Sequence, residues 1–250
     1  MSVSGEMKLA LRKAASPADA VQLARFFKTG RGEYGEGDRF LGIRVPALRA
    51  VVRRFTSDAA VGDGLCLLRS PWHEERLCGL LVWVALFERE DAGCRRRIYT
   101  AYLANADRVN NWDLVDLSAP NIVGEWLLAR PTNTLDRLAR SRCLWERRIA
   151  IVATFAFIRR GRFGETLRIA EALLADREDL IHKAAGWMLR EAGKRDESAL
   201  RGFLDRHAPR MPRTMLRYAI ERLPDRDRRR YMAVPRVASP AVRPGARRRS

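Results

Sequence analysis

Four segments decide the fold: W-H-E-E-R-L-C-G-L-L-V-W-V from Trp72, W-E-R-R-I-A-I-V-A-T-F from Trp145, I-H-K-A-A-G-W-M-L-R from Ile181, and P-R-T-M-L-R-Y-A-I from Pro212. Each sets apolar residues at helical spacing, and none shows the period-two alternation of a strand. Their starts fall about 36 residues apart or near a multiple of it, the length of a two-helix repeat slightly shorter than the usual HEAT unit. A unit that small cannot bury its apolar face alone, so successive units stack and cover one another. The expected architecture is therefore all-α, an α-α superhelix or solenoid of HEAT-like helical repeats. Equivalent helices would line one concave surface and bring together Trp112, Asp116, Arg148 and Trp187, which are far apart in the chain.

Towards the amino terminus, residues 9–27 read as a helix pair broken at Ser16-Pro17, with Ser16 and Asp19 placed to cap the second helix. Residues 30–38 carry a formal G-x-G-x-x-G at Gly30, Gly32 and Gly35. In a dinucleotide-binding fold that motif follows a buried strand and opens a helix. Here it follows the polar F-F-K-T and continues into Glu36-Gly37-Asp38, so a flexible loop is expected. Phe40-Leu41-Gly42-Ile43-Arg44-Val45-Pro46 then leads into a helix with Pro46 in its first turn. Arg44 stands at the head of that helix, where a guanidinium and free backbone N–H groups suit a phosphate.

The chain of 250 residues is 47% hydrophobic, enough for one large core or one extended array. Lys and Arg number 48 against 30 Asp and Glu, giving a formal net charge of +18 that favours nucleic acid as a partner. Arginine greatly outnumbers lysine, as bidentate phosphate contacts would favour, although a genome rich in Arg codons gives the same bias. No apolar run reaches the roughly 18 to 20 residues that span a bilayer, so no membrane role is expected. Cys66, Cys78, Cys94 and Cys143 lack C-x-x-C spacing and His73, His182 and His207 stand singly, which indicates no metal site. Without a signal pattern at the amino terminus, the default compartment is the reducing cytoplasm. The expected organisation is one folded domain over residues 1–225 and a basic, disordered tail over 226–250. That tail holds a large share of the net charge and reads equally as a nucleic-acid arm or a solubilising end.

Residues 109–120, V-N-N-W-D-L-V-D-L-S-A-P, hold the chemistry. Trp112 and Asp116 are four residues apart, hence on one face of a helix, and a ring face beside a carboxylate stabilises a cation. Taken alone, the pair reads equally as a core tryptophan and a solvated aspartate. Together with F-L-G-I-R-V-P from Phe40, L-W-E-R-R-I-A-I from Leu144 and H-K-A-A-G-W-M-L-R-E from His182, the N-N-W-D-L-V-D run resembles the AlkD family of DNA alkylation-repair glycosylases. The resemblance spans about the first 225 residues and rests on four motifs in the right order.

That resemblance implies a HEAT-like solenoid that wraps double-stranded DNA and excises cationic N3- and N7-alkylated purines such as 3-methyladenine and 7-methylguanine, without turning the base into a pocket. It implies Asp116 as the catalytic carboxylate, Trp112 and Trp187 as the site tryptophans and Arg148 as the site arginine. Some members have a second tryptophan where this chain has Asn111, which leaves the fine shape of the cleft beside Trp112 open. Arg44, Arg147, Arg190, Lys194 and Arg213 are the candidate phosphate contacts, with Arg190 and Lys194 on the helical face of Trp187. A monofunctional glycosylase acting as a monomer, without cofactor or metal, is the leading expectation. A non-catalytic HEAT-repeat nucleic-acid binder and a protein-interaction scaffold are the alternatives.

Overall fold

The structure, a computed structural model, describes residues 2–235. Among them there is no strand, only an isolated bridge between Arg39 and Trp72, so the all-α expectation holds. Helix α1 (Val3–Lys13) and helix α2 (Pro17–Phe26) break where the sequence places Ser16-Pro17, and the Ser16 hydroxyl accepts the Asp19 backbone N–H. Asp19 turns its own carboxylate outward to Arg44 at 3.2 Å. Helix α3 (Val45–Phe55) has Arg44 at its N-cap and Pro46 in its first turn, as the motif requires.

The remaining helices alternate between two rows. Helices α4 (Val61–Leu68), α6 (Ala92–Ala104), α9 (Asn133–Ala139), α12 (Gly164–Ala172) and α14 (Glu197–His207) lie outside. Helices α5 (His73–Arg89), α7 (Trp112–Ala119), α10 (Leu144–Ala153), α13 (Asp179–Gly193) and α15 (Arg213–Ala219) form the inner row, each packed on the one before. Their first residues, 73, 112, 144, 179 and 213, carry the repeat that the sequence shows. Short α8 (Glu125–Leu127) and α11 (Phe155–Arg159) prolong α7 and α10, the former through a π-helical turn at Pro120–Gly124 where proline supplies no backbone N–H.

Apolar side chains of both rows merge into one continuous core, with Trp83, Tyr102, Phe157 and Phe203 essentially without exposure. The inner row closes tightly at its carboxyl end because residue 186 is glycine. A Cβ there would stand 2.5 Å from the Met215 carbonyl oxygen, so any larger residue would push α13 and α15 apart.

One helix corrects the expected boundary of the folded part. Helix α16 (Asp225–Ala233) is formed inside the stretch read as a disordered tail. Composition misleads here because almost all of its stabilising contacts are polar. The buried Tyr231 donates its hydroxyl to Asp205 at 2.9 Å, Arg201 pairs with Asp227 at 2.6 Å, and Arg213 donates to the Met232 and Val234 carbonyls. The rest of the expected tail, residues 236–250, lies outside the described residues.

Candidate active site

The inner helices pack one on the next, so side chains from successive helices converge on one surface. Trp112 and Asp116 come from α7, Arg148 from the second turn of α10, and Lys183, Trp187 and Arg190 from α13. Trp112, Arg148, Lys183, Trp187 and Arg190 line one cleft of about 530 Å³, completed by Tyr34, Tyr218 and the exposed Phe26. Of the four residues expected to meet, Trp112, Arg148 and Trp187 line this cleft, and Asp116 is joined to it through Arg148.

The centre of the site is an ion pair. Arg148 donates from Nε to Asp116 Oδ1 at 3.0 Å and from Nη2 to Oδ2 at 2.8 Å, while its Nη1 donates to the Leu180 carbonyl at 2.8 Å. Only 6% of the Arg148 side chain and 16% of the Asp116 side chain are exposed, so the pair is largely withdrawn from water yet still reachable at the carboxylate. Burial pushes the Asp116 carboxyl above its ordinary range, the Arg148 guanidinium works against that rise, and the nearby Asp113 adds to it. Arg148 is therefore committed to Asp116 and the Leu180 carbonyl through all three of its guanidinium nitrogens. Its geometry is that of a clamp that fixes the carboxylate and favours its ionised form against burial.

A second cavity, of about 460 Å³ and lined almost wholly by apolar atoms, lies on the other side of Trp112. Phe26, Phe27, Phe40, Ile43 and Leu117 wall it, and Asp116 closes one end. Trp112 is thus a partition between a cationic cleft and an apolar groove, held by stacking on Phe27 at 5.1 Å and edge contact with Phe26 at 5.9 Å. Asn111 is not among the residues that line either cavity. It is fully buried, accepts the Trp112 backbone N–H at 2.8 Å as the N-cap of α7, and faces the backbone at Gly35.

Behind Trp112 lies a polar cluster that the sequence did not reveal. Buried His73 bridges two carboxylates, with Nδ1 2.9 Å from Asp38 and Nε2 2.8 Å from Asp113, and Arg76 pairs with Asp38 as well. Glu74, only 2% exposed, accepts the backbone N–H groups of Leu41, Gly42 and Ile43 at 2.8 to 3.1 Å. Gly42 makes this grip possible: its φ is +84°, and a Cβ would stand 2.0 Å from the Ser16 carbonyl oxygen. Together these bonds lock the F-L-G-I segment to the start of α5 and α5 to the start of α7.

The loop before that segment, expected to be flexible, is closed by its own carboxylates. Glu33 accepts from Gly30 and Glu36 from Gly32, each at 2.8 Å, and Tyr34 reaches the cleft. No strand precedes it, in keeping with rejection of a dinucleotide-binding turn.

Burial opposes a charge on His73, but Asp113 and Asp38 outweigh it and raise its pKa to about 9. A histidine whose folded pKa lies above its unfolded value stabilises the fold fully below about pH 6.5 and loses that contribution as pH rises through about 9. Unfolding free energy measured by urea titration should therefore fall by on the order of 3 kcal/mol across that window, and a His73→Gln variant should show no such fall. A wild-type profile that stays flat from pH 6.5 to 9.5 would refute the bridge as charged.

The five candidate phosphate contacts divide. Arg44 is the freest, its side chain 76% exposed and paired only with Asp19. Arg190 lines the cleft while pairing with Glu191 and Glu221, and Lys194 pairs with Glu191 at the cleft's far margin. Arg147 is tied to Asp176 at 2.6 Å and to the Ser141 and Arg142 carbonyls, with 15% of its side chain exposed. Arg213 is occupied in holding the end of α16. The latter two are structural ties between neighbouring units, since either would break two or more internal hydrogen bonds to reach a phosphate. Lys183, Tyr34 and Tyr218 are cleft residues that sequence reasoning missed. Lys183 sits one helical turn before Trp187, on the same face, and that spacing was the available signal.

Among the described residues no group of His, Cys, Asp or Glu could hold a metal ion. No helix there is long and apolar enough to cross a membrane.

Fold and site together define an all-α helical-repeat solenoid with a clamped carboxylate beside a cationic cleft lined by two tryptophans. The comparisons make that specific: residues 7–223 match the model of the family described as DNA alkylation repair enzyme, and the chain belongs to that family. A solved structure described as a predicted DNA alkylation repair enzyme from Enterococcus faecalis shares the fold with a TM-score of 0.66 at 15% identity, covering 84% of this chain and 97% of that one. No curated protein matches the chain.

Proposed function

We propose that the protein is a monofunctional DNA glycosylase that hydrolyses the N-glycosidic bond of cationic alkylated purines, 3-methyladenine and 7-methylguanine, in duplex DNA. The observation that carries this reading is the Asp116 carboxylate, 16% exposed beside Trp112 and held in both oxygens by Arg148, which itself lines the cleft with Trp112 and Trp187. A purine alkylated at N3 or N7 is positively charged and departs readily, so the enzyme need not protonate it. As the bond lengthens, positive charge develops on the deoxyribose. A fixed anion beside that charge stabilises the transition state more than the ground state and orients the attacking water, as carboxylates do in glycoside hydrolysis.

Each neighbouring group has a part. Arg148 favours the ionised form of Asp116 and holds it in place, which removes the cost of reorienting it during reaction. Trp112 and Trp187 offer ring faces to the sugar and to the cationic base, each contributing about 0.5 to 2 kcal/mol. Lys183 and Arg190 bring positive charge to the cleft wall, where phosphates flanking the lesion would lie. Two of the arginines expected to bind phosphate, Arg147 and Arg213, are set aside on the geometry above.

Duplex DNA carrying one 7-methylguanine, incubated with the purified protein, should release free 7-methylguanine and leave an alkali-labile site. A matched duplex carrying uracil should not react, because a neutral base brings no charge of its own to drive departure. Tight binding without base release would favour the non-catalytic binder. Rapid uracil release would contradict the mechanism.

A further inference from the structure

The family match ends at residue 223, and α16 begins at Asp225. The chain therefore carries an ordered helix beyond the part it shares with the family, and what that helix presents to solvent differs from what it buries. Tyr231 faces the core and the Arg201–Asp227 pair fixes the inner side. Arg226, Arg228 and Arg229 are exposed, and so are Arg217 and Arg222 on the neighbouring helix and turn. Between α15 and α16 runs a groove of about 530 Å³ with Ile220 and Met232 as its floor, Arg217, Arg228 and Arg229 on its walls, and Glu221 and Asp225 among them, Asp225 pairing with Arg228 at 3.1 Å.

This groove borders the candidate active site. Tyr218 of α15 lines the catalytic cleft while Arg217, its neighbour, lines the groove, and the Arg190–Glu221 ion pair links the two walls. Helices α7, α10, α13 and α15 follow one another along the inner row, and α16 packs on α15 and on the outer α14. Four steps of about 8 to 10 Å place α16 roughly 30 to 40 Å along the array from Asp116, close to one turn of B-form DNA at about 34 to 36 Å.

We propose that α15 and α16 form a second phosphate-binding strip, which grips the duplex backbone about one helical turn from the lesion and on one side of it only. The proposal rests on the reading of the cleft as the lesion site. Charge complementarity selects the partner: Glu221 is taken up by Arg190 and Asp225 by Arg228, which leaves Arg217 and Arg229 to match a phosphate backbone bidentately, with the apolar floor as a surface for their stems. An interaction of this kind carries no sequence information and adds affinity by releasing counterions.

The test uses fluorescence anisotropy with the full-length protein and three duplexes, each bearing an abasic-site analogue. One has about 5 base pairs on either side of the site, and the other two are extended by about 10 base pairs on one side or the other, one turn as above. Extension on one side should tighten binding about tenfold, and extension on the other should change it little. The Arg217→Ala, Arg228→Ala, Arg229→Ala variant should lose that gain, and the slope of log affinity against log salt should fall by about 0.9 per contact removed. The corresponding triple Lys variant should recover most of the gain. Base release at saturating DNA and the thermal midpoint should be unchanged, since neither Asp116 nor the Tyr231 anchor is touched.

Equal gains from both extensions would overturn the proposal, as would a triple Ala variant that keeps the one-sided gain. A one-sided gain on the abasic duplex in a protein that releases no base would overturn the catalytic reading while leaving the strip in place.

Discussion

Asp116→Asn should lower the rate of 7-methylguanine release by about 10²- to 10³-fold, the scale lost when a preorganised transition-state stabiliser is removed. The substitution is nearly isosteric, and the Asn oxygen can still accept from Arg148 Nε. The amide nitrogen, however, would face Arg148 Nη2, donor against donor, where the wild type has a 2.8 Å charged bond. The buried guanidinium then lacks its counter-charge, and stability should drop by about 1 to 3 kcal/mol. That is less than the 5 to 15 kcal/mol typical of a folded protein, so the variant remains folded at room temperature. Affinity for duplex should hold or rise slightly, because removing an anion from a cationic cleft relieves repulsion of the phosphates. A general disturbance of the site would lower rate and affinity together. Unimpaired base release by the variant, measured in single turnover, would remove Asp116 from the chemistry.

The parts of this molecule that were legible in the sequence are those written in local period. Apolar spacing gives each helix, the recurrence of similar helices gives the array, and the array brings Asp116 to Arg148 across 32 residues. What was not legible depends on side chains meeting across loops. His73 looked solitary because its two partners are carboxylates 35 and 40 residues away, one in a glycine-rich loop and one beside Trp112. The same loop looked flexible because its order comes from Glu33, Glu36 and Asp38 turning back on backbone N–H groups and on His73, which composition does not express. Arg147 and Arg213 looked available because exposed arginines are the norm, yet carbonyls and a carboxylate consume them. Helix α16 failed a test of apolar content although one tyrosine and two ion pairs were enough to dock it on an existing surface.

Arg148→Met should be the most damaging single change at the site, costing about 3 to 5 kcal/mol of stability at neutral pH and as much activity as the loss of Asp116 itself. Methionine fills the buried path of the arginine stem but leaves Asp116 with neither of its two hydrogen bonds and no opposite charge. Burial already raises the Asp116 carboxyl, and Arg148 is the main force holding it down, so its removal drives the pKa higher still. For a carboxyl whose folded pKa exceeds its unfolded value, the folded state binds more protons, and stability falls as pH rises through the folded pKa. The variant's deficit should accordingly be largest at neutral pH and shrink on acidification, as protonation removes the unpaired charge. The acid limb of its residual activity should shift to higher pH in the same experiment, since only the ionised carboxylate stabilises the sugar cation. Adding Asp116→Asn to Arg148→Met should restore part of the lost stability and none of the activity. This non-additivity is the mark of a pair whose partner was left charged and buried, and a merely space-filling arginine would not produce it. If Arg148→Met matches the wild type in urea midpoint at pH 7 and in rate, the clamp is not what fixes Asp116.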